Sequence, residues 1–281
     1  MTALPTPFFL DSSTGRCFAI HHAPDKKVKT WGQVLCVPAF NEEMNRCRSM
    51  VTLQAQAFAE KGVGTLVIDL HGTGESDGEH GDARWEAWLE DIAAGIAWLD
   101  NQPGGCIALL GIRLGVPLAV QALRSMFAPR RALIAWQPVV DGKTYFTQFL
   151  RIRIAGNMDR TDIPKETTTS MRNALASGKP IEVAGYEVHP KLAAAIEGVR
   201  LSKLQPQGGE PPIAWFERST GNAREALPVS MSAIEEWRSC GLTVDLQIYD
   251  GPAFWAAYER ATAPDLILQT TEWVRVLRQK A

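Results

Sequence analysis

Apolar residues in this chain fall in short unbroken runs that alternate with stretches of helical spacing. Residues 33–38 (QVLCVP) form an apolar run ending in proline, the pattern of a strand buried on both faces. Over residues 50–61, Met50, Leu53, Ala57 and Phe58 recur at helical spacing, and Gly62 and Gly64 stop that helix. Residues 63–70 (VGTLVIDL) predict the next strand and residues 71–78 a turn-rich loop. A long amphipathic helix is expected over 83–100, with Trp85, Trp88, Ile92, Ile96 and Trp98 mostly on one side, most simply as core. A strand at 106–110, a helix at 115–126 and a strand at 132–136 follow. Late in the chain the alternation resumes, with strands at 212–217 and 243–249 and helices at 229–240 and 265–280. Asp265 stands near the start of the closing helix, where a carboxylate suits the helix dipole. Strands alternating with helices imply βαβ units and a mostly parallel sheet, an α/β fold.

The pattern breaks between about residues 140 and 207. This segment holds an aromatic run at 145–150 (YFTQFL), a polar stretch at 157–169, a small strand-like run at 180–188 and a short helix at 190–199. A Pro/Gly-rich linker at 205–212 (QPQGGEPP) closes it. We read residues 1–139 and 208–281 as one core and 140–207 as a cap or lid inserted into it. In an open α/β sheet, ligands bind outside the carboxyl ends of the strands, and such an insertion covers that edge.

Composition narrows the classes. The chain has 281 residues, 46% apolar and 21% charged, which excludes wholesale disorder and supports a large core. A formal charge of −2 argues against a nucleic-acid binder. No run approaches the roughly 18 apolar residues of a membrane span, so no integral membrane protein is expected. The first residues lack a basic stretch and carry interrupting prolines, so no signal peptide is expected. The five cysteines are odd in number and contain no C-x-x-C, and Cys36 and Cys106 lie in apolar runs. These features fit a reduced, cytoplasmic protein without a disulfide framework, and they point to no metal and no cofactor.

The chemistry gathers around the strand at 106–110. Cys106-Ile-Ala-Leu-Leu-Gly111-Ile-Arg113-Leu-Gly115 runs from strand to helix through G-x-R-x-G. That shape matches the G-x-S-x-G nucleophile elbow, with arginine in the serine position. Guanidinium stays protonated and forms no acyl-enzyme. Upstream, Asp69-Leu-His71-Gly-Thr-Gly-Glu-Ser76 resembles the D-x-[RH]-G-x-G-x-S turn of α/β-hydrolases. These motifs and the segment order resemble the α/β-hydrolase fold, with a mostly parallel sheet flanked by helices and a cap, over essentially the whole chain. Val37-Pro-Ala-Phe-Asn-Glu-Glu-Met-Asn45, the 71–78 turn, Gly111-Ile-Arg-Leu-Gly115 and Gly251-Pro-Ala-Phe-Trp255 together resemble a narrower family. It is the second of the two hydrolase-like types associated with the exosortase A system. That resemblance implies a bacterial setting of exopolysaccharide production and C-terminal sorting signals. It also implies a small acidic or acyl- or saccharide-linked ligand, or a protein partner from that system. Fold resemblance does not establish chemistry.

The remaining triad positions are tested by order. The acid position offers Glu217, within residues 217–222 (ERSTGN). The histidine position reads Asp250-Gly-Pro-Ala-Phe-Trp255, and none of the five histidines lies beyond His189. Two reactive positions are therefore changed, which argues for a non-catalytic ligand- or partner-binding protein. The alternative is an active hydrolase or acyl transferase with a non-standard site built from Glu42, Glu43, His71, Arg113 and Asp141.

Arg113 has two readings. It is an anion-binding residue at a helix N-terminus, or one half of an internal ion pair with Glu42 or Glu43 in the loop after Pro38. His71 is either a base or a turn-fixing residue. Ser76 reads as a local backbone hydrogen-bonder and His80 as an exposed loop residue. Phe40, Asn41, Leu114, Trp136, Gln137, Phe254 and Trp255 complete the candidate pocket. Of these, Trp136 is equally well read as core, and Phe254 with Trp255 puts aromatic bulk where the histidine loop would be.

Overall fold

The computed structural model describes residues 4–125, 131–158, 165–205, 212–219 and 224–280. The strands are β1 (Thr6–Ser12), β2 (Gly15–His22), β3 (Gly32–Val37), β4 (Val63–Ile68), β5 (Cys106–Ile112), β6 (Ala132–Trp136), β9 (Ile213–Arg218) and β10 (Val244–Tyr249). They form one sheet in the order β1-β2-β4-β3-β5-β6-β9-β10. β1 and β2 pair antiparallel, β2 joins β4 antiparallel, and the rest of the sheet is parallel. The helices are α1 (Glu42–Ala59), α2 (Trp85–Asp100), α3 (Gly115–Ser125), α4 (Gly142–Gly156), α5 (Thr168–Ala176), α6 (Pro190–Gly198), α7 (Pro228–Ser239) and α8 (Pro264–Lys280). A separate two-stranded hairpin, β7 (Ile181–Val183) and β8 (Tyr186–Val188), precedes α6.

Period-two alternation divides the core between the two faces. On β3, Leu35 and Val37 join the cluster that holds Ile92, Ile96, Trp215 and Trp237, contributed largely by α2, α3 and α7. Val34 and Cys36 join the opposite cluster with Met50, Phe58, Trp136 and Phe216, under α1 and α8. All six β3 residues are buried, which is why the run reads as unbroken rather than alternating.

The structure differs from the sequence expectations at several elements. β1 precedes the first strand expected from the pattern. α1 begins at Glu42, eight residues before the expected Met50. Its early turns look polar, but Met44, Cys47 and Met50 are buried at spacing three, and Glu42 and Glu43 suit the N-terminal dipole. The single run at 180–188 folds back as a hairpin, with Ala184 and Gly185 both at positive φ. α4, α5, the hairpin and α6 all stand between neighbouring strands β6 and β9, in the stretch read as an insertion. The boundary at 207 and 208, most of the 205–212 linker, part of 157–169, the end of 217–222, and Met126 lie outside the described residues.

Candidate active-site region around the elbow

The chain passes from β5 into α3 through a turn that keeps the geometry of a nucleophile elbow. Arg113 takes φ 53°, a left-handed conformation that costs a non-glycine residue about 1 kcal/mol or more. The glycines on either side are required by contact. A Cβ on Gly115 would lie 2.3 Å from the Val37 carbonyl oxygen, and one on Gly111 would lie 2.6 Å from Cα of Val116. Arg113 N–H donates to the Trp136 carbonyl at 3.0 Å, and its own carbonyl accepts from Val116 and Val139.

The Arg113 side chain is enclosed on every side. Nε donates to Glu43 Oε1 at 3.1 Å, and Nη1 donates to the Gln137 carbonyl at 3.1 Å. The guanidinium lies 5.6 Å from the Tyr145 ring centroid and 5.2 Å from that of Trp255. Its side chain is 14% exposed. Burial disfavours its charge, yet Glu43 and the other neighbours hold its pKa above the usual arginine value. The other Glu43 oxygen accepts from the Tyr145 hydroxyl at 2.9 Å. Burial, and then the Glu43 carboxylate, push the Tyr145 phenol well above its ordinary range, so it stays a donor. Of the two partners considered for Arg113, the structure gives Glu43. Glu42 turns to the hairpin instead, accepting from the Tyr186 hydroxyl at 2.8 Å.

In the loop after β10, which the sequence reading takes as the histidine position, Phe254 is 1% exposed and packs edge-on against Trp136 at 6.1 Å and Trp255 at 5.1 Å. At the acid position Glu217 is 1% exposed, and both its oxygens are occupied, by Trp215 Nε1 and the Leu227 N–H, each at 2.9 Å. That carboxylate ties β9 to the start of α7.

A cleft of about 960 Å³ opens above these groups, walled by α1, α4, the hairpin and residues 255–260. Of the candidate residues, Phe40, Asn41, Glu42, Glu43 and Trp255 line it. Arg113 lies under Glu43, Tyr145 and Trp255. Leu114 is buried and faces a small crevice shared with Phe40 and Asn41.

The others stand apart from the cleft. Trp136 is fully buried and donates Nε1–H to Thr270 at 3.0 Å, a core residue. Gln137, at φ 45°, uses its side-chain oxygen to accept from the Arg218 N–H at 2.8 Å. Asp141 caps α4 by accepting from the Thr144 N–H at 2.6 Å and pairs with Arg200 at 3.1 Å. Burial works to raise its pKa, but these partners keep it below the usual carboxylate value. His71 belongs to the turn: its N–H donates to Asp91 at 2.7 Å, its carbonyl accepts from Trp88, and its ring packs against Gly78. Ser76 donates to the Asp69 carbonyl and accepts from the Phe18 N–H, a local fastening.

Sequence reasoning passed over two groups. Tyr145 sits in an apolar aromatic run and reads as core. Tyr186 follows an Ala-Gly turn whose hairpin signal would have exposed it. His80, expected to be exposed, is half-buried against Asn41 and the hairpin, because the hairpin folds over its polar loop.

A mostly parallel sheet with helices on both faces and a strand–elbow–helix at its centre defines an α/β-hydrolase-fold protein. Residues 29–197, more than half of the chain, match the Hydrolase_4 family, described as serine aminopeptidase, S33, and the chain belongs to that family. Solved structures agree on the fold. Est1E from Butyrivibrio proteoclasticus, with ferulic acid bound, is 15% identical with a TM-score of 0.65, covering 97% of this chain and 98% of that one. A soluble variant of monoglyceride lipase from Saccharomyces cerevisiae is 12% identical with a TM-score of 0.65, covering 100% and 97%. A carboxyl esterase from Bacillus coagulans is 14% identical with a TM-score of 0.62, covering 99% of each chain. Comparison with curated proteins gave no match. Among the described residues, no helix is long and apolar enough to cross a membrane.

Proposed function

We propose that this chain is a pseudo-hydrolase, which holds a ligand or partner in the cleft beside its elbow and does not cleave it. One observation carries this reading: the elbow residue is an arginine locked to Glu43 at 3.1 Å beneath Tyr145 and Trp255. A nucleophile needs a free electron pair, and a protonated guanidinium offers none. Phe254, packed into the core at the base position, supports the same conclusion. An active site made of Glu42, Glu43, His71, Arg113 and Asp141 would need those groups to converge. Asp141 is committed to Thr144 and Arg200, and His71 to its turn, which favours binding over catalysis.

In this reading the segment 140–207 acts as the cap over the cleft. The cleft's aromatic walls and the three arginines that line it, Arg46, Arg48 and Arg260, support a small acidic or acyl- or saccharide-linked ligand, with Arg46 also pairing with Glu42 at 3.7 Å. The motif resemblance supports a cytoplasmic role in an exosortase-linked exopolysaccharide and sorting system, with a protein partner from that system as the other occupant.

A fluorophosphonate probe tests the central claim. No serine is expected to label, and Arg113→Ser is expected to remain without esterase activity. Stoichiometric labelling of a serine in the native chain overturns the proposal. Esterase activity in Arg113→Ser overturns the claim that the base position is lost.

A further inference from the structure

His80 joins three parts of the molecule that are distant in sequence. Its Nδ1 lies 2.6 Å from the Glu187 backbone carbonyl on β8, and its Nε2 lies 2.6 Å from Oδ1 of Asn41 at the start of α1. Its ring stands edge-on to Tyr186 at 5.0 Å. A backbone carbonyl only accepts, so Nδ1 carries a proton in either charge state of the ring. Nε2 carries one only in the imidazolium.

The two states make opposite demands on Asn41. An imidazolium donates from Nε2, and Oδ1 accepts. A neutral ring presents a lone pair at Nε2, and an oxygen 2.6 Å away would repel it. The neutral ring is satisfied only when the amide turns and Nδ2 donates to Nε2. With Oδ1 toward the ring, Nδ2 is buried and has no partner among the described residues. Asn41 is 3% exposed and lines both the cleft and a crevice of about 10 Å³, a space the size of one water. Its backbone is held at φ 52°, ψ −128°, so the change needs only rotation of the terminal amide, a broad two-fold torsion.

We propose that Asn41 and His80 form a proton-driven amide switch: protonating His80 turns an N–H donor of Asn41 away from the ring, and deprotonation turns the carbonyl oxygen away instead, so that a residue lining both the cleft and the crevice changes the group it turns from the ring. The consequence for ligands rests on the binding reading above. Nδ2 has almost no surface of its own, so the protonated state suits an acceptor such as a water seated in the crevice, and the neutral state suits a donor there. Burial holds His80 below its ordinary range, although Glu187 opposes this, so the switch works on the acid side of the usual histidine range; the structure shows the arrangement of its protonated side, with an acceptor oxygen on each ring nitrogen. The groups facing the ring are Glu187 and Tyr186 from β8 and, through Tyr186, Glu42 of α1. Glu79, Asp82 and Arg84 stand on its own turn.

The test is nitrogen-resolved NMR on the full labelled chain between pH 8 and 5, with no ligand present. The expected result is an Nδ1–H tautomer at pH 8. The Asn41 side-chain amide should then shift with the same midpoint as the His80 ring. Asn41→Asp, which offers only acceptors, should raise the His80 midpoint by about one unit or more, a tenfold gain in proton affinity. A stationary Asn41 amide during the His80 titration overturns the switch. So does an Nε2–H tautomer at pH 8, or an unmoved midpoint in a folded Asn41→Asp. These readings come from the free protein, so they are separate from the labelling experiment that decides between binding and catalysis.

Discussion

At the scale of single residues, the ion pair beneath the cleft dominates. Arg113 and Glu43 are both largely withdrawn from water, and each is the other's nearest compensating charge. Removing one partner leaves the other uncompensated, and for buried pairs that costs about 3 kcal/mol. Glu43→Gln and Arg113→Met are each expected to lose stability on that scale. The double variant is expected to lose clearly less than the sum. Urea unfolding of the two singles and the double measures this as a coupling energy, and additive losses would show that the pair is not coupled. Tyr145→Phe should cost about 1 kcal/mol, because Glu43 loses a donor while the ring keeps its packing. The pair was legible in the sequence, since an arginine at an elbow and two glutamates in the facing loop are each unusual for their positions. Tyr145 was not, because a hydroxyl in an aromatic run looks like any other core side chain until its partner is known.

At the scale of elements, the elbow is the most demanding piece of geometry. α3 approaches β3 so closely that Gly115 has no room for a methyl group: its Cβ would meet the Val37 and Pro38 carbonyl oxygens at 2.3 and 2.5 Å. Backbone oxygens cannot rotate away as a side chain could. Gly115→Ala is therefore expected to cost about 3 kcal/mol, read from the urea midpoint, and a neutral result would mean that α3 can slide. The strand–elbow–helix was legible because glycines and an apolar run punctuate it. The first turns of α1 were harder, because Glu42-Glu43-Met44-Asn45-Arg46 looks like loop until its buried stripe is set against the sheet. The hairpin was harder again, because strands of three residues carry almost no periodicity.

At the scale of the whole molecule, four histidines make stability depend on pH in a defined window. His21 and His22 stand on β2, His80 at the junction of core and hairpin, and His189 at the start of α6. Burial lowers the pKa of all four in the folded chain, and His21 disfavours charge on His22 as well. A lowered folded pKa means that the unfolded chain binds protons first. Stability is then complete above the unfolded value of about 6.5 and is lost as pH falls through the folded values. Ordinary carboxylates protonate near pH 4, so between pH 7.5 and 5.5 the histidines carry the trend. The urea midpoint at constant ionic strength should fall steadily across that range. His22→Gln, which cannot take up the proton, should flatten the slope, and a wild-type midpoint that stays level or rises would show that these rings are already charged in the folded chain. The same arithmetic limits the switch at His80. Acidification that turns Asn41 also weakens the fold around it, so the state with the Asn41 donor turned from the ring is confined to the mildly acidic range, where His80 is protonated and the sheet still holds.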